Sequence, residues 1–362
     1  MNLFDISFFD KEYKMVDSIR KLLNNGIENK VFPGCVAGVR YGTKQQIVAC
    51  GNHTYDSDSK PVNKNTVYDV ASITKAVPVS CLALKLIDDG KLGRRQRLIE
   101  FIPELAGAYK DIITIDNLLT QTLDFDFRLS QCKNLSSEQI IKKVLEVDLK
   151  SRPGLSYSYA NATSILLGIA IERCFGSDLA QIANDTFFTP LKMDSTTFYP
   201  QNFNREIIAP TEYDSWRGRV IQGEIHDEST WALRPKVVGA AGLFSTVPDL
   251  MKFMDMLLNG GEVSGKKYLS PEMISQMYTS QLPGSNQWIG LGWELNQKSF
   301  MGSNCSVTAL GKTGFTGCSI VADIKKQSGY VLLSNHVYPE RKPDRTDINR
   351  IRSQLGDMVW DL

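Results

Sequence analysis

Apolar and polar positions divide the chain into β-rich ends and a helical middle. Near the start, Cys35-Val36-Ala37-Gly38-Val39-Arg40-Tyr41 and Gln46-Ile47-Val48-Ala49-Cys50 are short β-rich runs. Gly42-Thr43-Lys44 lies between them, as in a hairpin. Residues 319–324 and 329–334 form a second such pair around Lys325-Lys326-Gln327. In the last segment Ile348, Ile351, Leu355, Met358 and Val359 recur at helical intervals.

The middle reads as helices. Residues 72–89 carry Val77, Leu82, Leu84, Leu86 and Ile87 and stop at Gly90. Thr114 precedes the short segment 115–119 as a cap. Residues 161–174 are apolar with helical spacing, and Gly176 follows. Thr246-x-x-Asp249, with Pro248 inside it, opens a helix that runs to Leu258, before Gly260-Gly261. The simplest architecture is an α+β fold in which both chain ends, 1–75 and 241–362, build an antiparallel sheet flanked by helices. Residues 76–240 are then an inserted, mostly helical domain, with a cleft between the two.

Composition narrows the classes of function. The 362 residues exceed what one compact core usually holds. With 41 basic against 40 acidic residues, the net charge of +1 offers no basic surface for nucleic acid. No apolar stretch approaches the roughly 20 residues of a membrane span. Asp5 and Asp10 interrupt the N-terminal apolar run and no basic residue precedes it, unlike a secretory leader. Seven scattered cysteines, mostly in apolar runs, read as reduced core thiols of a cytoplasmic protein. Without a Cys-x-x-Cys, and with His53, His226 and His336 far apart, no metal site is expected.

Three segments carry candidate chemistry. The first is Ser72-Ile73-Thr74-Lys75. A serine hydroxyl needs a base beside it to act as a nucleophile, and residues three apart share a helix face. Ser-x-x-Lys occurs five times, at Ser18, Ser57, Ser72, Ser130 and Ser264, so the spacing alone selects nothing. Ser72 stands out because an extended run, 67–71, turns there into an apolar helix; the other four lie in polar or turn surroundings.

The second segment is Ser158-Tyr159-Ala160-Asn161. A phenol held near cations can act as general base or acid, and the Asn161 amide can donate to a substrate carbonyl and accept from Lys75. Taken alone, the same residues also fit a packed turn tyrosine followed by a helix cap. The third is Gly311-Lys312-Thr313-Gly314-Phe315-Thr316-Gly317. Its glycines permit close approach of a substrate backbone. Lys312 can bind a substrate carboxylate and hold Tyr159 as phenolate, and the Phe315 N–H can join that of Ser72 as an oxyanion hole. Alone, this is equally a glycine-rich hairpin with a solvent-facing lysine.

In the order Ser-x-x-Lys, Tyr-x-Asn, Lys-Thr-Gly, the three together resemble the serine β-lactamase and penicillin-binding protein superfamily. The Tyr-Ala-Asn form is similar to the class C branch with its related esterases and D-amino-acid peptidases. Pro153-Gly154, Leu166-Leu167-Gly168, Ala241-Gly242-Leu243-Phe244-Ser245-Thr246 and Gly290-Leu291-Gly292-Trp293 extend the likeness from about Pro33 to Asn335. The resemblance implies a sheet domain plus a helical domain, a cleft between them and no cofactor. It implies catalytic Ser72, Lys75 and Tyr159, with Asn161, Lys312, Thr313, Gly314 and Phe315 binding substrate. The expected substrate is a β-lactam, a D-amino-acid peptide or a small ester; the alternative is a catalytically inactive binding or scaffold protein on the same fold. Two places depart or add: Gln121-Thr122-Leu123-Asp124 replaces the His-Thr-Ser-Gly turn of many relatives, and His226-Asp227 is similar to a cleft-side stretch in some of them, where buried pairing is the simpler role.

Overall fold

The computed structural model describes residues 3–282 and 286–362; Met1 and Asn2, where the N-terminal run begins, lie outside them. A six-stranded antiparallel sheet organises the molecule. Its strands are β1 (Gly34–Tyr41), β2 (Lys44–Gly51), β3 (Glu294–Leu295), β4 (Ala309–Thr313), β5 (Ser319–Asp323) and β6 (Ser328–Ser334), in the order β2-β1-β6-β5-β4-β3. Both hairpins read from the sequence are present, and β1 pairs with β6 in the register Cys35 to Ser334 through Tyr41 to Ser328. The two chain ends therefore share one sheet.

Strand alternation sends side chains to two faces. On one face Cys35, Ala37, Val39, Val321, Tyr330 and Leu332 pack against helices α1 (Leu3–Glu28) and α8 (Thr346–Trp360) through Met15, Ile19, Leu23, Ile348, Ile351, Leu355 and Val359. The buried α1 positions step by four, one helical stripe. On the other face Val36, Leu310, Ile320, Ala322, Val331 and Leu333 meet helix α7 (Val247–Leu258). That core continues without a break into the helical region, which includes α2 (Cys81–Asp88), α3 (Ile115–Leu119), α4 (Ser137–Glu146), α5 (Asn161–Phe175) and the short α6 (Glu228–Ala232). Cutting a buried leucine here to alanine costs about 2–5 kcal/mol.

Two elements differ from the sequence expectation. The helix expected over 72–89 is broken: a 3₁₀ segment, Ala71–Lys75, is followed by a turn in which Val77 is extended (φ −111°, ψ 108°), and regular helix begins only at Cys81. Pro78 is the cause, because it has no N–H to donate and drives the preceding residue out of helical geometry. The second is α1, in a segment whose periodicity the sequence reading did not use. Among the described residues no helix is long and apolar enough to cross a membrane. All seven cysteines are free, and all but Cys174 are buried.

Candidate active site

Ser72 sits on a turn fixed from several sides. Ala71, just before it, takes a left-handed backbone (φ 47°), costly for a residue with a Cβ. Asp69 holds it there: its Oδ1 accepts from the Ala71 N–H at 2.8 Å, and its Oδ2 from the His226 N–H at 2.7 Å. Burial pushes the Asp69 carboxyl up to about 6, against the lowering effect of those two N–H groups. Thr74 Oγ1 donates to Ala71 O (2.6 Å) and accepts from the Leu243 N–H (3.2 Å), so the turn is stitched to the strand-like segment before α7.

The 3₁₀ geometry matters for the Ser-x-x-Lys pair. With three residues per turn, positions three apart eclipse, and Lys75 Nζ lies 3.0 Å from Ser72 Oγ. Lys75 is buried, and its Nζ also donates to Ala240 O at 2.6 Å. Other lysines of the same spacing serve elsewhere: Lys60 pairs with Glu206, and Lys133 with Glu228. The N–H groups of Ser72 and Phe315 have no acceptor among the described residues. Both residues line a cleft of about 520 Å³ whose walls come from the sheet side (Lys312, Thr313, Phe315) and the helical side (Tyr157, Tyr159, Asn161).

Tyr159 stands between the two lysines. Lys75 Nζ lies 5.1 Å and Lys312 Nζ 4.7 Å from its ring centroid. The tyrosine is 44% exposed, its ring open to the cleft. Loss of solvent around the phenol raises its pKa, but the charges of Lys75 and Lys312 and hydrogen bonds with Ser72 and Lys75 outweigh this, leaving it below the ordinary value. Gln121 braces the segment: its main-chain oxygen accepts from Ser158 N–H (2.7 Å), and its side-chain Oε1 from Ala160 N–H (3.2 Å). The altered loop at 121–124 thus supports Tyr159 from behind and is not among the cleft-lining residues.

Lys312 is not the free cation the sequence led us to expect. On β4 it shares a face with Leu310, toward the helical side, and is 5% exposed. Its Nζ bonds Glu294 Oε1 at 2.6 Å. Desolvation alone would depress its pKa; Glu294, then Tyr159 and Tyr157, reverse that and raise it. Glu294 went unread, although it directly follows the Gly-Leu-Gly-Trp run. Gly292 (φ 78°) makes the turn that presents it, packed so that a Cβ would meet Ser80 Cβ at 2.1 Å. The close approach at Gly314 also differs from expectation: a Cβ there would lie 2.3 Å from Val70 O, so the glycine admits the Ser72 turn. Thr316 Oγ1 adds a bond to Asp69 O at 2.7 Å.

Asn161 begins α5 in the cleft wall, and its Nδ2 donates to Asp227 Oδ2 at 3.2 Å. The expected Lys75–Asn161 bond is not among those the described residues form. His226 stacks on Phe315 (5.4 Å between centroids, 28° between planes), and burial pushes its imidazole down to about 4. Two further cations line the cleft, Arg341 and Arg345. Arg341 is bound to Glu212 and Glu228. Arg345 lies 4.5 Å over the Phe315 ring, with no carboxylate at ion-pair distance among the described residues. A second cavity of about 460 Å³ touches the cleft only at Ala241 and holds none of the three motifs.

Ser-x-x-Lys, Tyr-x-Asn and Lys-Thr-Gly thus converge on one cleft, and residues 19–353 match the Beta-lactamase family. The chain belongs to that family. Among its curated relatives, a protein of Escherichia coli (strain K12) with the provisional name D-alanyl-D-alanine carboxypeptidase is 28% identical over 319 residues, 77% of this chain and 72% of its own length. A Salmonella agona (strain SL483) protein of the same name is 28% identical over 306 residues, 75% and 69% of the two chains. Of solved Beta-lactamase-like folds, EstCE1, described as a hydrolase with promiscuous acyltransferase activity, superposes with a TM-score of 0.75 at 19% identity, covering 97% of this chain and 99% of its own. A class C β-lactamase gives 0.75 at 17% identity, covering 96% and 99%. At these identities the structural likeness is one of fold.

Proposed function

We propose that this protein is a serine hydrolase that forms an acyl-enzyme on Ser72. The observation that carries this is the 3.0 Å contact between Lys75 Nζ and Ser72 Oγ, in a cleft where a tyrosine of lowered pKa stands between two lysines. Ser72 Oγ attacks a carbonyl carbon, and its proton passes to the Lys75–Tyr159 pair. The carbonyl oxygen, now negative, is received by the acceptor-free N–H groups of Ser72 and Phe315. Collapse breaks the bond to the leaving group, which takes its proton from Tyr159. Water then loses a proton to Tyr159 and attacks the acyl carbon; the Ser72 Oγ–acyl bond breaks, and the Lys75–Tyr159 pair returns that proton to Ser72 Oγ.

The substrate classes that fit are a β-lactam, a D-amino-acid peptide or a small ester. Asn161 presents an amide to the acyl side. On β4, β3 covers Leu310 and Gly311 and stops short of Lys312 and Thr313, which leaves that edge to an extended substrate. Because Glu294 neutralises Lys312, a substrate carboxylate is better met by Arg345.

The test is covalent labelling. A fluorophosphonate and a fluorescent penicillin, read by intact mass, should each add one adduct that maps to Ser72. Ser72→Ala should lose both adducts, and hydrolysis should fall on the order of 10⁶-fold with the fold intact. Undiminished turnover in Ser72→Ala would falsify the assignment.

A further inference from the structure

Asp227 occupies the cleft wall with its two carboxylate oxygens engaged differently. Oδ1 accepts from Ser229 Oγ (2.7 Å) and from the Thr230 N–H (2.8 Å), which caps α6. Oδ2 accepts from Asn161 Nδ2 at 3.2 Å. Burial opposes ionisation, but Ser229, Thr230 and the nearby Lys75 charge hold the carboxyl below its usual range. An ionised carboxylate can only accept. It therefore decides which end of the Asn161 amide faces it. Nδ2 must turn to Asp227, leaving Oδ1 and the second N–H free. The backbone of Asn161 is already set by α5. The remaining freedom is the two-fold flip of the amide, a broad and nearly symmetric torsion, and Asp227 removes it.

We propose that Asp227 is a positioning residue that locks Asn161 in one amide orientation, so that the cleft selects acyl donors with an amide beside the scissile carbonyl. This rests on the Ser72 acyl-transfer reading of the same cleft. A substrate amide offers one donor and one acceptor, in fixed order, to a side-chain amide fixed in the complementary order. A plain alkyl chain leaves those groups unpaired, and sites built for hydrogen bonds discriminate strongly against partners that lack them. With Asn161 free to flip, half of that complementarity is lost.

Asp227→Asn separates orientation from packing. It keeps the shape and an oxygen for the α6 cap, but the atom facing Asn161 becomes an NH₂ that favours the flipped amide. The readout is kcat/KM for two isosteric esters, p-nitrophenyl N-acetylglycinate and p-nitrophenyl 4-methylpentanoate. The glycinate should lose about 5–100-fold, the scale of one polar group left unpaired in a desolvated site, while the methylpentanoate changes by less than about threefold. A changed field at Lys75 would move both esters together, so the ratio carries the inference. Ser229→Ala, which weakens the cap but spares Oδ2, should leave the ratio unchanged; a matching drop there would mean a purely structural effect and overturn the proposal. So would equal losses for the two esters in Asp227→Asn. If that variant does not fold, Asn161→Ala decides: it must lower the same ratio, and an unchanged ratio refutes the idea. Fluorophosphonate labelling of Ser72 is run alongside. No labelling of the unaltered protein defeats the acyl-enzyme reading itself, whereas normal labelling with an unmoved ratio defeats the role of Asp227 alone.

Discussion

Replacing Lys312 by methionine should slow carboxylate-bearing and neutral substrates by the same factor. The ammonium lies 4.7 Å from the Tyr159 ring centroid and 2.6 Å from Glu294 Oε1. At an effective dielectric of about 20, a unit charge 4.7 Å away is worth roughly 3.5 kcal/mol to a phenolate, an upper bound of about 2.5 pKa units. The opposed Glu294 carboxylate cancels part of that, so a rise of about one to two units in the Tyr159 pKa is expected for Lys312→Met. The phenolate fraction at neutral pH falls accordingly, and its greater basicity recovers only part of the rate, for a net loss of about 10–100-fold. The assay is the pH dependence of kcat/KM for a carboxylate substrate and its methyl ester, in the unaltered protein and in Lys312→Met. Both profiles should shift to alkaline pH together. Glu294→Gln makes the opposite perturbation: it frees the lysine charge, and the carboxylate substrate should gain over its ester. A loss in Lys312→Met at least tenfold greater for the carboxylate than for the ester would show that Lys312 binds substrate and that Glu294 gives way to it.

Lys75→Ala and Tyr159→Phe should each cost about 10²–10⁴ in kcat, and the double variant little more than the worse single one, because one relay is being broken twice; additive losses would assign separate roles. Stability should fall as pH drops from about 6.5 to 4. Burial depresses His226 and His336 to about 4, so in that window the unfolded chain takes up protons that the folded one refuses, costing up to about 3 kcal/mol each. Asp69, raised by burial to about 6, works the other way, since the folded state protonates first as pH falls. A net loss of about 3 kcal/mol remains, readable by urea unfolding at the two pH values; stability that holds or rises toward pH 4 would contradict it.

Much of the fold was legible because strand and helix periods are local. The hairpins at 34–51 and 319–334, the cap at Thr114, α5 ending at Gly176 and α7 opening with Pro248 all agree with their sequence signals. What escaped was non-local or depended on one residue. Pro78 breaks a helix whose apolar spacing looks continuous. Glu294 carries no local signal; the fold alone sets it against Lys312, 18 positions away in the chain. Asp227, expected to be paired in a buried setting, caps α6 with one oxygen; the other finds Asn161 across 66 residues, a contact no local pattern encodes. Five Ser-x-x-Lys pairs could not be ranked by spacing, because spacing says nothing about which lysine is buried against its own serine.

The way the three motifs meet explains why their order along the chain was informative even though each was weak alone. Each supplies part of the cleft wall, and the walls are joined largely through residues other than Ser72 and Tyr159. Gly314 brings the end of β4 against Val70, two residues before Ser72, in a space that admits no Cβ. Thr316 bonds Asp69, and Asp69 in turn holds Ala71 and His226. Gln121 carries the Tyr159 segment from the helical side. In the proposed reaction the spacing of Ser72 and Tyr159 is set by these neighbours, while the Ser72 and Phe315 N–H groups, without an acceptor among the described residues, are left for the substrate, which is what preorganisation requires. It also accounts for the strain at Ala71: a left-handed residue there is tolerated because Asp69 and Thr74 hold the turn from both sides, and in return Ser72 and Lys75 fall on one edge of a 3₁₀ turn instead of drifting apart around a wider helix.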